Sequence, residues 1–123
     1  MPRKKDFKTI DSKSAEKHYR NGLASSKKGK FENALADYRT ALEFDPGFYK
    51  AWINQGGVLL RLNKPGEALD CFDKAIDINP KNSRAWVDKG VTLRELGRQD
   101  EEIPCYDQAL KINMEDVGAW LNK

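Results

Sequence analysis

Residues 50–57 read KAWINQGG, residues 84–90 read RAWVDKG, and residues 118–123 read GAWLNK. Their tryptophans, Trp52, Trp86 and Trp120, stand 34 residues apart, and each follows an alanine (Ala51, Ala85, Ala119). One period before Trp52 lies His18. Four residues after these slots come Gly22, Gly56 and Gly90, and sixteen after come Ala34, Ala68 and Glu102. Twenty after come Tyr38, Phe72 and Tyr106; twenty-three after, Ala41, Ala75 and Ala109; twenty-eight after, Pro46, Pro80 and Met114. Agreement in so many slots at one period marks an internal repeat.

Each period reads as two helices. Trp52, Leu59, Leu60 and Leu62 recur at helical spacing, and a break follows at LNKPGE (62–67) and at LGRQDE (96–101). Gly29 and Gly97 stand where a helix ends in the left-handed conformation, with Asn63 the next best residue at that slot. Pro65 suits the first turn of a helix. Ala68, Leu69, Phe72, Ala75 and Ile76 form the second apolar stripe, which Pro80 closes. The pattern predicts helices over 13–28, 31–44, 48–62, 65–78, 82–96 and 99–112, with a seventh starting near 116. Gly56 and Ala68 mark close approach of two antiparallel helices, with Trp52 and Phe72 filling the space beside them. One such pair cannot bury its own apolar face; stacked copies can, with a concave and a convex side.

Composition narrows the function. The chain has 123 residues, 39% hydrophobic and 33% charged, enough for one core under a charged surface. No apolar run approaches the ~20 residues that span a bilayer, and the basic start lacks the apolar stretch of a secretory signal. A cytoplasmic location and no membrane partner are expected. Residues 1–14 hold five Lys/Arg and two Asp, so the remaining chain balances 17 basic against 17 acidic residues. A nucleic-acid-binding body would carry its own basic face, so nucleic acid is not the expected partner. Cys71 and Cys105 lack Cys or His partners at ligand spacing and read as small buried side chains. His18, the only histidine, occupies a packing slot and reads as a partly buried structural residue. No phosphate-binding loop is present, since QGG at Gln55 lies inside a helix. No metal, cofactor or catalytic residue is expected, and the chain does not read as an enzyme.

The repeat resembles the tetratricopeptide repeat (TPR), a 34-residue helix–turn–helix with Trp, Gly, Ala, Phe/Tyr, Ala and Pro at set offsets. Residues 49–82 match at Trp52, Gly56, Leu59, Ala68, Phe72, Ala75 and Pro80. The first copy has His18 for Trp and Ser25 for a large apolar residue. The resemblance implies an all-α, right-handed superhelical array of three units (15–48, 49–82 and 83–116). A basic leader, 1–14, precedes them, expected to be flexible. Residues 117–123 follow, as the start of a fourth unit or a short capping helix. The packing residues are then His18, Gly22, Tyr38, Trp52, Gly56, Ala68, Phe72, Trp86, Gly90, Tyr106 and Trp120. The third copy departs from the pattern at Glu102, Pro104 and Met114. Pro104 predicts a kinked or late-starting helix, because a proline inside a helix costs ~3 kcal/mol.

Proteins of this family mostly bind proteins or peptides, so the resemblance implies a non-enzymatic scaffold or adaptor that holds a partner segment in its concave groove. Helix geometry assigns Glu16, Tyr19, Arg20, Leu23 and Lys27 to that face in the first copy. Lys50, Ile53, Asn54, Gly57 and Arg61 follow in the second, and Arg84, Val87, Asp88, Val91, Arg94 and Glu95 in the third. Six basic against three acidic residues make a mildly basic groove, suited to a partner with acidic and apolar residues. One version of the family clamps the terminal carboxylates of heat-shock chaperones with Lys and Asn from copy one, Asn from copy two and two basic residues from copy three. Here Tyr19 and Leu23 fill the first two slots and Asp88 one of the basic ones. Only Asn54 and Arg84 fit, so that clamp is not expected.

Three further readings are open. The leader is a soluble tail, a contact for nucleic acid, or a cover in which Phe7 and Ile10 fold back onto the first repeat. The GAWLNK stub is a cap, with Trp120 and Leu121 packed on the last repeat, or a point of end-to-end pairing or continuation. The alternative to a groove-binding adaptor is a self-associating module, a homo-oligomer joined through its C-terminal end.

Overall fold

The computed structural model describes the backbone of residues 9–121 and the side chains of residues 9–115. It holds six helices: α1 (Ser12–Lys27), α2 (Phe31–Phe44), α3 (Tyr49–Arg61), α4 (Pro65–Ile78), α5 (Ser83–Glu95) and α6 (Gln99–Leu121). No strand occurs among the described residues. Helices α1 and α2, α3 and α4, and α5 and α6 pack as pairs, α2 packs on α3, and α4 on α5. Helix α3 also touches α5, so the first helices of the pairs lie side by side on one face.

The turns follow from local chemistry. Asp11 caps α1: its Oδ1 accepts from the Ser14 N–H at 3.0 Å and its Oδ2 from the Ser14 hydroxyl at 2.8 Å. Residues 12–14 of the leader are therefore the first turn of a helix, not flexible chain. Gly29, Asn63 and Gly97, spaced by one period, take φ of 76°, 62° and 76°. At each, the next amide reaches back five residues: Lys30 to Ser25 O (2.9 Å), Lys64 to Leu59 O (2.8 Å), Arg98 to Leu93 O (2.8 Å). These bonds satisfy carbonyls that a helix end leaves open.

Packing follows the glycines. A Cβ on Gly22, Gly56 or Gly90 would stand 2.5, 2.6 or 2.6 Å from the ring of Tyr38, Phe72 or Tyr106 respectively. Ala34 and Ala68 are fully buried in the same seam. Half-buried Trp52 and Trp86 each donate Nε1–H to the carbonyl of the proline ending the preceding unit, Pro46 at 2.8 Å and Pro80 at 2.9 Å. His18, in the same slot of the first unit, is half-buried and stacks on Phe44 at 5.6 Å. Cys71 and Cys105 are buried, and burial pushes the Cys71 thiol up to about 12.

At the last helix, the late start and the separate seventh helix are not found. Helix α6 begins at Gln99, in register with Phe31 and Pro65, and is continuous through Pro104. It does not start late, because Asp100, Glu101 and Glu102 fill its first turn and Arg98 holds Glu101 by two bonds of 2.7 and 2.8 Å. Nor does a separate seventh helix start near 116, since α6 runs on to Leu121. Prolines explain the difference. Asp45 and Asn79, each before a proline, are extended (φ −145° and −139°) and end α2 and α4. Met114 places no such constraint on Asn113. The packing of Trp120 and Leu121 expected of a cap lies outside the described side chains. So does Phe7; Ile10, the other residue expected to fold back, is 59% exposed.

Candidate peptide-binding groove

The face made by α1, α3 and α5 holds two joined depressions. One, of about 280 Å³, is lined by Tyr19, Lys50, Ile53, Asn54, Asn82 and Arg84. The other, of about 260 Å³, adds Leu23, Ser26, Lys27, Gly57 and Arg61, over a floor of Tyr38 and Val58. Asn54 and Arg84 border both.

The polar floor is ordered by hydrogen bonds. The Asn54 amide donates to the Tyr19 hydroxyl at 2.9 Å and to the Lys50 carbonyl at 3.0 Å, the latter one helical turn back. The Tyr19 ring lies against Phe48 (4.8 Å) and Tyr38 (6.0 Å), which fixes its hydroxyl in the groove. Tyr38 is buried, which raises its phenol to about 12. The Arg61 guanidinium sits over the Phe31 ring at 5.3 Å, a cation–π contact that orients it.

Charge is the distinctive property. Lys27, Lys50, Arg61 and Arg84 line the depressions, and no carboxylate is among the lining residues. Asp88 lies at the margin, 3.5 Å from Arg84. Burial holds its carboxyl above the ordinary carboxylate range, and Arg84 opposes that shift. Of the other acids assigned to this face, Glu16 pairs with Arg20 at 3.1 Å, and Glu95 is exposed on the last turn of α5.

Several expected groove residues stand elsewhere. Arg20 shares a different depression with Ser12, Lys13, Glu16 and Lys17, drawn there by its ion pair with Glu16 one helical turn back. Ile53 is only 5% exposed and serves mainly as core. Val87, Val91 and Arg94 border neither depression. Arg94 points across its helix pair to Glu102 (3.1 Å), which also accepts from the Tyr106 hydroxyl at 2.9 Å. That contact neutralises the carboxylate standing in the alanine slot. Conversely, Ser26 and Asn82 line the groove unannounced. Ser26 continues the spacing of Tyr19 and Leu23 along α1. Asn82 is drawn there as the cap of α5, its Oδ1 accepting from the Ala85 N–H at 3.0 Å.

A third cavity, about 400 Å³, lies between α5 and α6 against Trp86, Lys89, Asp100, Glu101, Pro104 and Cys105. Its one lysine is already held, with Lys89 2.8 Å from Asp73 and over the Trp86 ring at 5.7 Å. Among the described residues no group of three His, Cys, Asp or Glu side chains could hold a metal ion, and no helix is long and apolar enough to cross a membrane.

Known proteins share this framework. The crystal structure of MamA superposes with a TM-score of 0.83 at 23% identity, covering 88% of this chain. The chain spans 63% of that protein's length. The first TPR of Spaghetti (RPAP3), bound to the HSP90 peptide SRMEEVD, gives 0.82 at 20% identity, covering 93% of this chain and 98% of that one. The TPR2B domain of yeast Sti1, in complex with pHsp70, gives 0.82 at 23% identity over 85% of this chain and 83% of that one. In sequence, the uncharacterized protein MJ0572 of Methanocaldococcus jannaschii is 37% identical over 60 residues, 49% of this chain and 70% of its own. The tetratricopeptide repeat model matches residues 15–48 and 49–82, and a second model of the same repeat matches 71–103. With the paired helices, the glycine–ring seams and the left-handed turns recurring every 34 residues, these matches establish that the chain belongs to the tetratricopeptide repeat family.

Proposed function

We propose that this chain is a non-catalytic adaptor that holds an extended or helical segment of a partner protein against α1, α3 and α5, and that the segment carries acidic and apolar side chains. One observation carries this reading: four cations and no carboxylate line the joined depressions, beside the apolar surfaces of Tyr19 and Leu23. A carboxylate on the partner would replace lost water with charge-assisted bonds from Lys50 and Arg84. The RPAP3 structure of the same fold holds a peptide with two glutamates and an aspartate. A terminal-carboxylate clamp of the chaperone kind is not part of the proposal. The Asn54 amide already donates to Tyr19, and Asp88 would repel a carboxylate beside Arg84.

The test is fluorescence anisotropy with labelled peptides that alternate Glu or Asp with Leu or Phe. Lys50→Glu with Arg84→Glu should abolish binding, and Arg20→Glu, outside the depressions, should leave it intact. Equal loss in both, or binding that survives the double reversal, refutes the groove as the site.

A further inference from the structure

The outer face of α6 differs from the faces it repeats. Ile103, Leu110 and Met114 are 59%, 59% and 72% exposed. One and two periods earlier, the slot of Leu110 holds Ile76 and Leu42, which are 9% and 8% exposed, and the slot of Ile103 holds half-buried Leu69 and buried Leu35. Those residues are covered because α3 packs on α2 and α5 packs on α4. Within repeat two, Asp73 reaches Lys89 of the covering helix at 2.8 Å. Asp107 occupies the slot of Asp73 and is exposed. A helix that covered α6 as α5 covers α4 would therefore present apolar side chains and a lysine opposite Asp107.

Helix α6 itself meets that description. At 100° per residue, Ile103, Asp107, Leu110 and Met114 share one face and Lys111 flanks it beside Asp107. In two antiparallel copies crossing near residue 109, Asp107 of each faces Lys111 of the other, and the apolar residues meet between them. Such an arrangement is self-complementary about a two-fold axis, which closes the assembly at two chains. We infer that this face is a homodimer interface in which α6 of a second copy takes the place that the first helix of a following repeat takes elsewhere in the array. This goes beyond the groove reading and does not depend on it, since α6 borders neither depression.

Sedimentation equilibrium of the full chain over a range of concentrations tests it. The expected result is a monomer–dimer equilibrium. Leu110→Glu should leave only monomer at every concentration, with the helical circular dichroism unchanged. Asp107→Lys and Lys111→Asp should each weaken the dimer ~tenfold or more, and the double swap should restore it. Arg84→Glu should have no effect on assembly. A chain that is monomeric throughout, a dimer indifferent to Leu110→Glu, single charge variants that the double swap does not rescue, or assembly that grows beyond two chains would each overturn the inference. If Leu110→Glu does not fold, the charge swap alone decides.

Discussion

Repeat two and repeat three are cut from one 34-residue pattern, and they differ at the slots that face a neighbour. In residues 49–82, Phe72 is fully buried beneath Gly56, Ala68 is flush in the seam, and Ile76 is hidden by α5. In residues 83–116, Tyr106 is only half-buried beneath Gly90, and Glu102 stands where alanine stood, tied to Arg94 and Tyr106. Leu110 is open. A unit covered on both sides uses apolar volume at every slot. A unit covered on one side tolerates polar substitutes, because its carboxylate and hydroxyl keep access to water and to each other.

The sharpest way to break this comparison is to empty the same slot in both units. Phe72→Ala should cost ~3–5 kcal/mol, a large share of a marginal total of ~5–15 kcal/mol. Tyr106→Ala should cost clearly less, ~1–3 kcal/mol. Urea titrations followed by circular dichroism measure both, and equal losses would show that the end unit is packed like the middle one.

The glycines give a finer test with an internal control. Gly56→Ala should cost ~1–3 kcal/mol, because the methyl would meet the trapped Phe72 ring. Gly90→Ala should cost less, because the half-exposed Tyr106 ring has room to yield. Neighbouring Gly57 has no atom within 4 Å of an added Cβ, so Gly57→Ala should gain ~0.5 kcal/mol from helix propensity. A loss at Gly57 as large as that at Gly56 would mean that backbone freedom, not the ring, decides the slot.

The contrast at the third unit's boundary was legible only in part from the sequence. The period, the two helices per unit, the three left-handed turns and the Gly–ring seams all follow from residue types whose backbone or volume leaves little choice. Gly29, Asn63, Gly97 and the 34-residue spacing are of this kind. Of the basic residues expected on the groove face, Arg20 and Arg94 do not line the two depressions. A long side chain can swing to whichever carboxylate is nearest, Glu16 for one and Glu102 for the other, and periodicity alone carries no information about that choice. Met114, standing where Pro46 and Pro80 end the earlier helices, is the residue that lets α6 run through 116, where a new helix was expected.

Met114→Pro probes that point directly. It should force Asn113 out of the helical region, as Pro46 and Pro80 do for Asp45 and Asn79. The expected outcome is an α6 that ends near Ile112, read from backbone carbon chemical shifts, with little change in the first two units. A helix that still ran past 114 would show that the break after α2 and α4 has another cause.

The smallest effect lies at a half-buried acid on the margin of the groove. Asp88 has its folded carboxyl raised by burial, so the folded state holds that proton more tightly than the unfolded chain. Its contribution therefore becomes more favourable as pH falls through the folded value. Relative to Asp88→Asn, the native chain should gain stability on acidification, by less than ~1 kcal/mol, since half-burial and Arg84 both limit the shift. Denaturant titrations of the two proteins at neutral and mildly acidic pH would read the difference. A native chain that lost stability relative to the variant would reverse the sign of the argument.

The indole bonds of Trp52 to Pro46 and of Trp86 to Pro80 each cross one boundary between units. Arrays of this kind need not melt all at once, because each unit touches only its neighbours. Each junction here thus contains its own spectroscopic gauge: the indole proton is hydrogen-bonded while the junction is shut and released when it opens. In this chain the order in which the stack comes apart can be followed one boundary at a time, without adding a label that would disturb either seam.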